Sequence, residues 1–237
     1  MEQSKRHHSR FTRLLSHGAG FLSGLMLTVS LIIFSLLILL TSTGLFHRAL
    51  TNSVQWEAME IPQEDLRAFA EETMEYFRGS KPCWQPVIRT GSGLLPVAES
   101  FTLHMETVKN GIQSALVLAC ILSSAALLLL AASFLLLPCG FSSKGYLAGL
   151  LCPFLLAGAV VIAAMIDFQD LWFWLHQRFI PDGIFSAGEP IMRMFPLSLF
   201  FSYIIPLLLL LAAALILLLI PLLASRKKFR KKQSRYS

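Results

Sequence analysis

Among the ionisable side chains of this sequence, His104 and His176 stand where proton transfer near neutral pH is chemically useful. His104 comes about two helical turns before one long apolar run, and His176 follows another. An imidazole in an apolar rim can take a proton from a nucleophile and return it to a leaving group. His176 lies in the segment DFQDLWFWLHQRFIPDGIFSAGEPIMRMFP, Asp167 to Pro196. That segment is crowded with rings at Phe168, Trp172, Phe173, Trp174, Phe179, Phe185 and Phe195, and turns at Pro181-Asp182-Gly183. Two plainer readings stand beside the catalytic one. In these, each imidazole bonds a nearby carbonyl or lipid headgroup, and Trp172 and Trp174 form an interfacial aromatic belt. His7, His8 and His17 belong to a basic tail, and His47 follows the first apolar run. HExxH and G-x-S-x-G are absent, and the four Cys match no zinc spacing. These residues ask for no metal and no cofactor.

The elements that must position the two histidines are set by composition. Of 237 residues, 55% are hydrophobic and 14% charged, with a mean hydropathy of +0.64, which excludes a soluble globular domain. Four runs are long enough to cross a bilayer: residues 18–40, 112–137, 145–166 and 197–223. The first is too long for a cleaved signal peptide and lacks a convincing cleavage site. Residues 1–17 and 224–237 are basic tails, and 138–144 is a short loop. Residues 41–111 form a polar cap and 167–196 an aromatic loop. Within the cap, Pro62 to Arg78 carries Leu66, Phe69, Ala70, Thr73 and Phe77 on one helical face. Gln85–Thr90 and Leu94–Val97 suggest a short hairpin around Gly91-Ser92-Gly93. The expected fold class is an all-α membrane protein: four transmembrane helices with a small extracytoplasmic cap of one helix and a short hairpin. Pro206 is expected to kink the fourth span, and Gly145 and Gly149 form a small-xxx-small pattern for close helix approach.

Charge gives the orientation. The two tails and the 138–144 loop hold 12 basic residues against one acid, while 41–111 and 167–197 hold 8 against 13. The positive-inside rule puts both termini in the cytoplasm and both large polar segments outside. The C-terminal basic run then serves as a stop signal, and nucleic acid is not the expected partner. If the second and third spans are neighbours, both imidazoles can face one site at the outer rim.

Phe101-Thr-Leu-His104-Met105-Glu-Thr-Val108-Lys109 resembles a family motif of the His-Met-x-Asp-Val-Lys kind. Leu175-His176-Gln-Arg-Phe179-Ile-Pro181-Asp182-Gly183 and Ile191-Met-Arg193-Met-Phe195-Pro196 are similar to that family's second motif. The family is the bacterial lipoprotein intramolecular transacylases, and the likeness extends to the Tyr76-Phe-Arg-Gly79 element and to nearly the whole chain. Thr107 replaces the usual Asp, leaving Glu106 as the nearby acid, and Gly183-Ile184-Phe185 replaces Gly-Asn-Trp.

The resemblance implies a bacterial plasma-membrane enzyme. Its substrate would be a mature lipoprotein, and its reaction transfer of the sn-2 acyl chain from the glyceryl oxygen to the α-amino group of the same cysteine. His104 and His176 would share the acid–base work in either order. Trp172, Trp174, Phe179 and Phe195 would hold lipid and exclude water, with Tyr76, Asp182 and Arg193 as further substrate-binding residues. A non-catalytic protein binding a lipid or partner through its cap is the alternative. Transport is disfavoured, because the spans carry no ionisable residue near their midplanes.

Overall fold

A computed structural model describes residues 2–135, 141–180, 185 and 189–233. In chain order the elements are α1 (Glu2–Leu40), α2 (Thr43–Ser53), α3 (Gln63–Phe77), β1 (Arg89–Thr90), β2 (Gly93–Leu94), α4 (Glu99–Leu135), α5 (Ser143–Ile166) and α6 (Phe168–Phe179). A 3-10 turn (Pro190–Met194), α7 (Leu197–Phe201) and α8 (Ile204–Gln233) complete the chain. Among the described residues, four stretches are long and apolar enough to span a membrane: Phe11–Leu40, Glu99–Leu135, Ser143–Ile166 and Ile204–Leu223. The chain is thus an all-α membrane protein apart from one two-stranded hairpin. Leu128 and Leu155, 72% and 74% exposed, are side chains that only lipid can cover.

The chain divides into two compact units. One comprises Met1–Phe34, Val117–Ile162 and Leu210–Ser237. Here α1 and α5 cross closely. A Cβ on Gly24 would collide with the Tyr146 carbonyl, and one on Gly149 with the Phe21 carbonyl, so both helices need glycine at the crossing. Ser23 and Thr28 on α1 are buried, and each hydroxyl donates to a carbonyl one turn back, Gly20 at 2.9 Å and Gly24 at 2.8 Å. That bond removes the cost of burying them. The Tyr146 hydroxyl donates to the Leu218 carbonyl at 2.9 Å, tying α5 to α8.

The other unit, Ser35–Leu116 and Ala163–Leu209, holds the cap and both candidate imidazoles. Aromatic rings run through its core: Phe46 from α2, Phe69 and Tyr76 from α3, Trp84, and Phe101 from α4 are all buried. α2 forms because Ser42 caps it, accepting from the Leu45 amide at 3.4 Å, and because Phe46, Ala49 and Leu50 share one buried face. Asp65 on α3 accepts from the Arg89 amide at 2.8 Å and from the Arg89 Nε at 3.0 Å. Trp84 Nε1 donates to Thr73 Oγ1 at 3.1 Å, and the Gln85 amide donates to Glu72 at 2.9 Å.

Those bonds explain why the hairpin is shorter than expected. The amides of Gln85 and Arg89 and the side chains of Trp84 and Arg89 are spent on α3, and Pro86 and Pro96 have no amide to give to a ladder. Only Arg89↔Leu94 and Thr90↔Gly93 pair. A second correction concerns 167–196, whose first part is the helix α6. Asp167 caps it, accepting from the Asp170 amide at 2.9 Å. A third concerns Pro206. The fourth apolar run is interrupted at Ser202–Tyr203, between α7 and α8, which leaves Pro206 in the first turn of α8, where a missing N–H costs nothing.

Candidate active site

His104 occupies the second turn of α4 and is 8% exposed. α4 thus carries this imidazole near its start, ahead of its most apolar stretch. His176 sits in the last turn of α6, and its ring centroid lies 6.2 Å from that of His104. Rings at that separation leave room for one small functional group to meet both. His176 Nδ1 lies 3.0 Å from the Trp172 carbonyl oxygen, four residues back. A carbonyl only accepts, so Nδ1 carries the hydrogen and the neutral ring presents the Nε2 lone pair as its base.

Aromatic rings surround the pair. Phe101 and Phe185 lie 5.8 and 5.3 Å from the His104 ring, and Trp172 lies 4.3 Å from that of His176. Phe200 of α7 closes on Trp172 at 4.4 Å. Phe195 packs 5.6 Å from Phe101 and 5.9 Å from Phe69, so the rings continue into the cap core. An apolar wall of this kind keeps water from a reacting ester.

The remaining candidates fall elsewhere. Trp174 is 58% exposed, because α6 turns Trp172 and His176 to one face and Trp174 away from it. It does not join the rings packed around the two imidazoles. Tyr76 is buried in the cap core with Lys109 Nζ 4.2 Å above its ring. Burial, with the negative charges of Glu106 and Cys83, pushes its phenol above the ordinary value. Arg193 is exposed on the 3-10 turn. Asp182 and the side chain of Phe179 lie outside the described residues. Glu106 is exposed and Thr107 donates to the Leu103 carbonyl at 3.2 Å, so the vacated Asp position gives its hydroxyl to its own helix. Phe185, one of the rings of the 167–196 segment, has a role at the site that its sequence does not signal. Its ring covers His104, and no local spacing foretells that contact.

The model of the lipoprotein intramolecular transacylase family, Lit, matches residues 21–201. The chain belongs to this family. No curated protein matches it significantly. Among solved structures it is similar to the membrane integral lipoprotein intramolecular transacylase Lit from Bacillus cereus, at 16% identity and a TM-score of 0.64, over 97% of this chain and 100% of that one. A form of the same protein with one histidine changed to arginine gives 15% identity and TM-score 0.64, over 99% and 98% of the two chains. A form with that histidine changed to alanine gives 15% and 0.64, over 99% and 100%. At these identities the likeness is one of fold, and it spans the whole of the Lit architecture. Both motifs that carry His104 and His176 fall inside the matched Lit region.

Proposed function

We propose that the chain moves the sn-2 acyl group of a lipoprotein's diacylglyceryl-cysteine onto the α-nitrogen of that cysteine. The observation that carries the reading is the pair of imidazoles, 6.2 Å apart and walled by rings, in a chain of the Lit family. An α-ammonium with an ordinary pKa near 8 must lose a proton before it can attack. His176 Nε2 is the acceptor, since its Nδ1 hydrogen is committed to the Trp172 carbonyl. The amine nitrogen then bonds to the ester carbonyl carbon, and the oxyanion that forms is met by a proton or hydrogen bond from His104. Collapse breaks the bond to the glyceryl oxygen, which leaves with the proton taken from the nitrogen. The products are an amide and an alcohol in one molecule; of the two protons the ammonium gives up, one goes to the glyceryl oxygen and the other passes through His176 to solvent. No acyl-enzyme is required, because nucleophile and ester share a substrate that the site need only fold upon itself.

Orientation belongs to the same proposal. Both termini lie in the cytoplasm, and the cap, with the imidazoles, lies outside, where mature lipoproteins reside. The charge distribution supports this.

Tandem mass spectrometry of a lipoprotein N-terminus from bacteria with and without this chain tests the reading. Substrate and product have equal mass, so the deciding ion is an N-terminal fragment with the acyl group on nitrogen. The reading expects it only when the chain is present. Unchanged O-acylated termini in both strains would favour the binding module.

A further inference from the structure

The cap contains an open cleft of about 380 Å³ that neither imidazole lines. Its walls come from the β1–β2 turn (Thr90, Gly91, Ser92), from Glu60 in the turn before α3, and from Arg193 on the 3-10 turn. Glu60 has a φ of 53°, a left-handed conformation that non-glycine residues rarely adopt. That turn is closed by the Ile61 amide donating to the Trp56 carbonyl at 2.9 Å. The Glu60 carboxylate rests on Gly91, where any Cβ would collide with it. An uncommon backbone conformation and a missing side chain thus combine to set one carboxylate on the cleft wall. Arg193 faces outward from a turn whose Ile191 and Met194 are fully buried, so its backbone is fixed. Among the described residues neither Glu60 nor Arg193 forms an ion pair.

We propose that this cleft holds the polypeptide just after the lipidated cysteine of the substrate, an inference that rests on the transacylase reading. Its chemistry suits an amide chain: Glu60 accepts from peptide N–H groups, Arg193 donates to peptide carbonyls, the Ser92 hydroxyl does either, and the Thr90 hydroxyl, whose hydrogen goes to the Gly93 carbonyl at 2.8 Å, can accept. A phosphate headgroup would meet the Glu60 carboxylate as a like charge. The cleft is also separated from the imidazoles by only a few side chains. Phe195, two residues after Arg193, packs 5.6 Å from Phe101, whose ring is 5.8 Å from His104. With its cysteine at the imidazoles, an extended peptide advancing ~3.3 Å per residue reaches the cleft within a few residues.

The test compares two fluorescent ligands on the full-length protein in detergent micelles, with turnover followed in parallel. One is diacylglyceryl-cysteine amide; the other carries about five further residues, enough to reach the cleft. The wild-type chain should bind the longer ligand more tightly. Arg193→Gln, and separately Ser92→Trp at an exposed turn position, should each lower that preference about tenfold, the worth of one charge-assisted bond. KM for the longer ligand should rise in step while kcat holds, and Arg193→Lys should recover part of the preference. Equal binding of both ligands by the wild-type chain, no binding of the longer one, or a preference unchanged in both Arg193→Gln and Ser92→Trp would overturn the proposal. Binding without conversion of either ligand would overturn the transacylase reading instead, with the preference still deciding the cleft.

Discussion

At His176 one bond decides what the ring can do. Because its Nδ1 hydrogen goes to the Trp172 carbonyl, replacing the Trp172 side chain leaves the tautomer intact and removes only the ring that covers it. His104→Ala and His176→Ala should each slow acyl transfer by about 10²–10⁴-fold, and the double variant should be hardly slower than either, as for groups that act as a unit. Trp172→Ala should cost about tenfold by admitting water, whereas the outward-facing Trp174→Ala and the remote His47→Ala should stay near wild type. Initial rates on a diacylated lipopeptide check all six. Two histidines beside apolar runs, in loops assigned to one side, were readable from the sequence. The cover over His104 by Phe185 and the outward turn of Trp174 were not, because they depend on helix phase and on contacts between distant segments.

The elements that carry these residues are held by a few identifiable contacts. Asp65 is the firmest in the cap, where the Arg89 guanidinium bonded to it keeps its carboxyl below the ordinary value. A depressed folded pKa gives stability that is present above the unfolded value near 3.9 and is lost as pH falls through the folded one. Asp65→Asn should therefore lower cap stability by about 2 kcal/mol at pH 7. The gap to wild type should narrow as pH falls below the ordinary carboxylate range, as read by thermal unfolding at pH 7 and at successively lower pH. In the other unit, Gly149→Leu would drive a side chain into the Phe21 carbonyl and should cost about 3 kcal/mol or the fold itself. Gly158→Leu on the same helix meets nothing within 4 Å and should be silent in the same unfolding measurement. The glycine pair on α5 and the period of α3 were legible. α6 was hidden by its own rings: Phe168, Trp172 and His176 recur every fourth residue after a capping Asp167, yet so many aromatics read first as a belt. α2 was missed because its buried face, Phe46, Ala49 and Leu50, is too short to declare a period.

At the scale of the whole molecule, hydropathy alone was enough to give four spans, since a bilayer accepts few alternatives to an apolar helix. Charge adds the orientation. A reporter fused after Ser237 should read cytoplasm and one inserted after Ser92 should read outside, and a cytoplasmic signal from the second would remove the imidazoles from the face where the substrate lies.

The central claim is that nitrogen and ester belong to one substrate molecule and react between His104 and His176. A crossover experiment reaches it most directly. Two diacylglyceryl-cysteinyl peptides, one with heavy acyl chains and a light peptide, the other with light acyl chains and a heavy peptide, are mixed with the purified protein. Their N-acylated products are then read by tandem mass spectrometry. Intramolecular transfer predicts heavy acyl on light peptide and light acyl on heavy peptide only, with no product from the His104→Ala, His176→Ala double variant. Scrambled acyl–peptide combinations, or undiminished product from that variant, would contradict it.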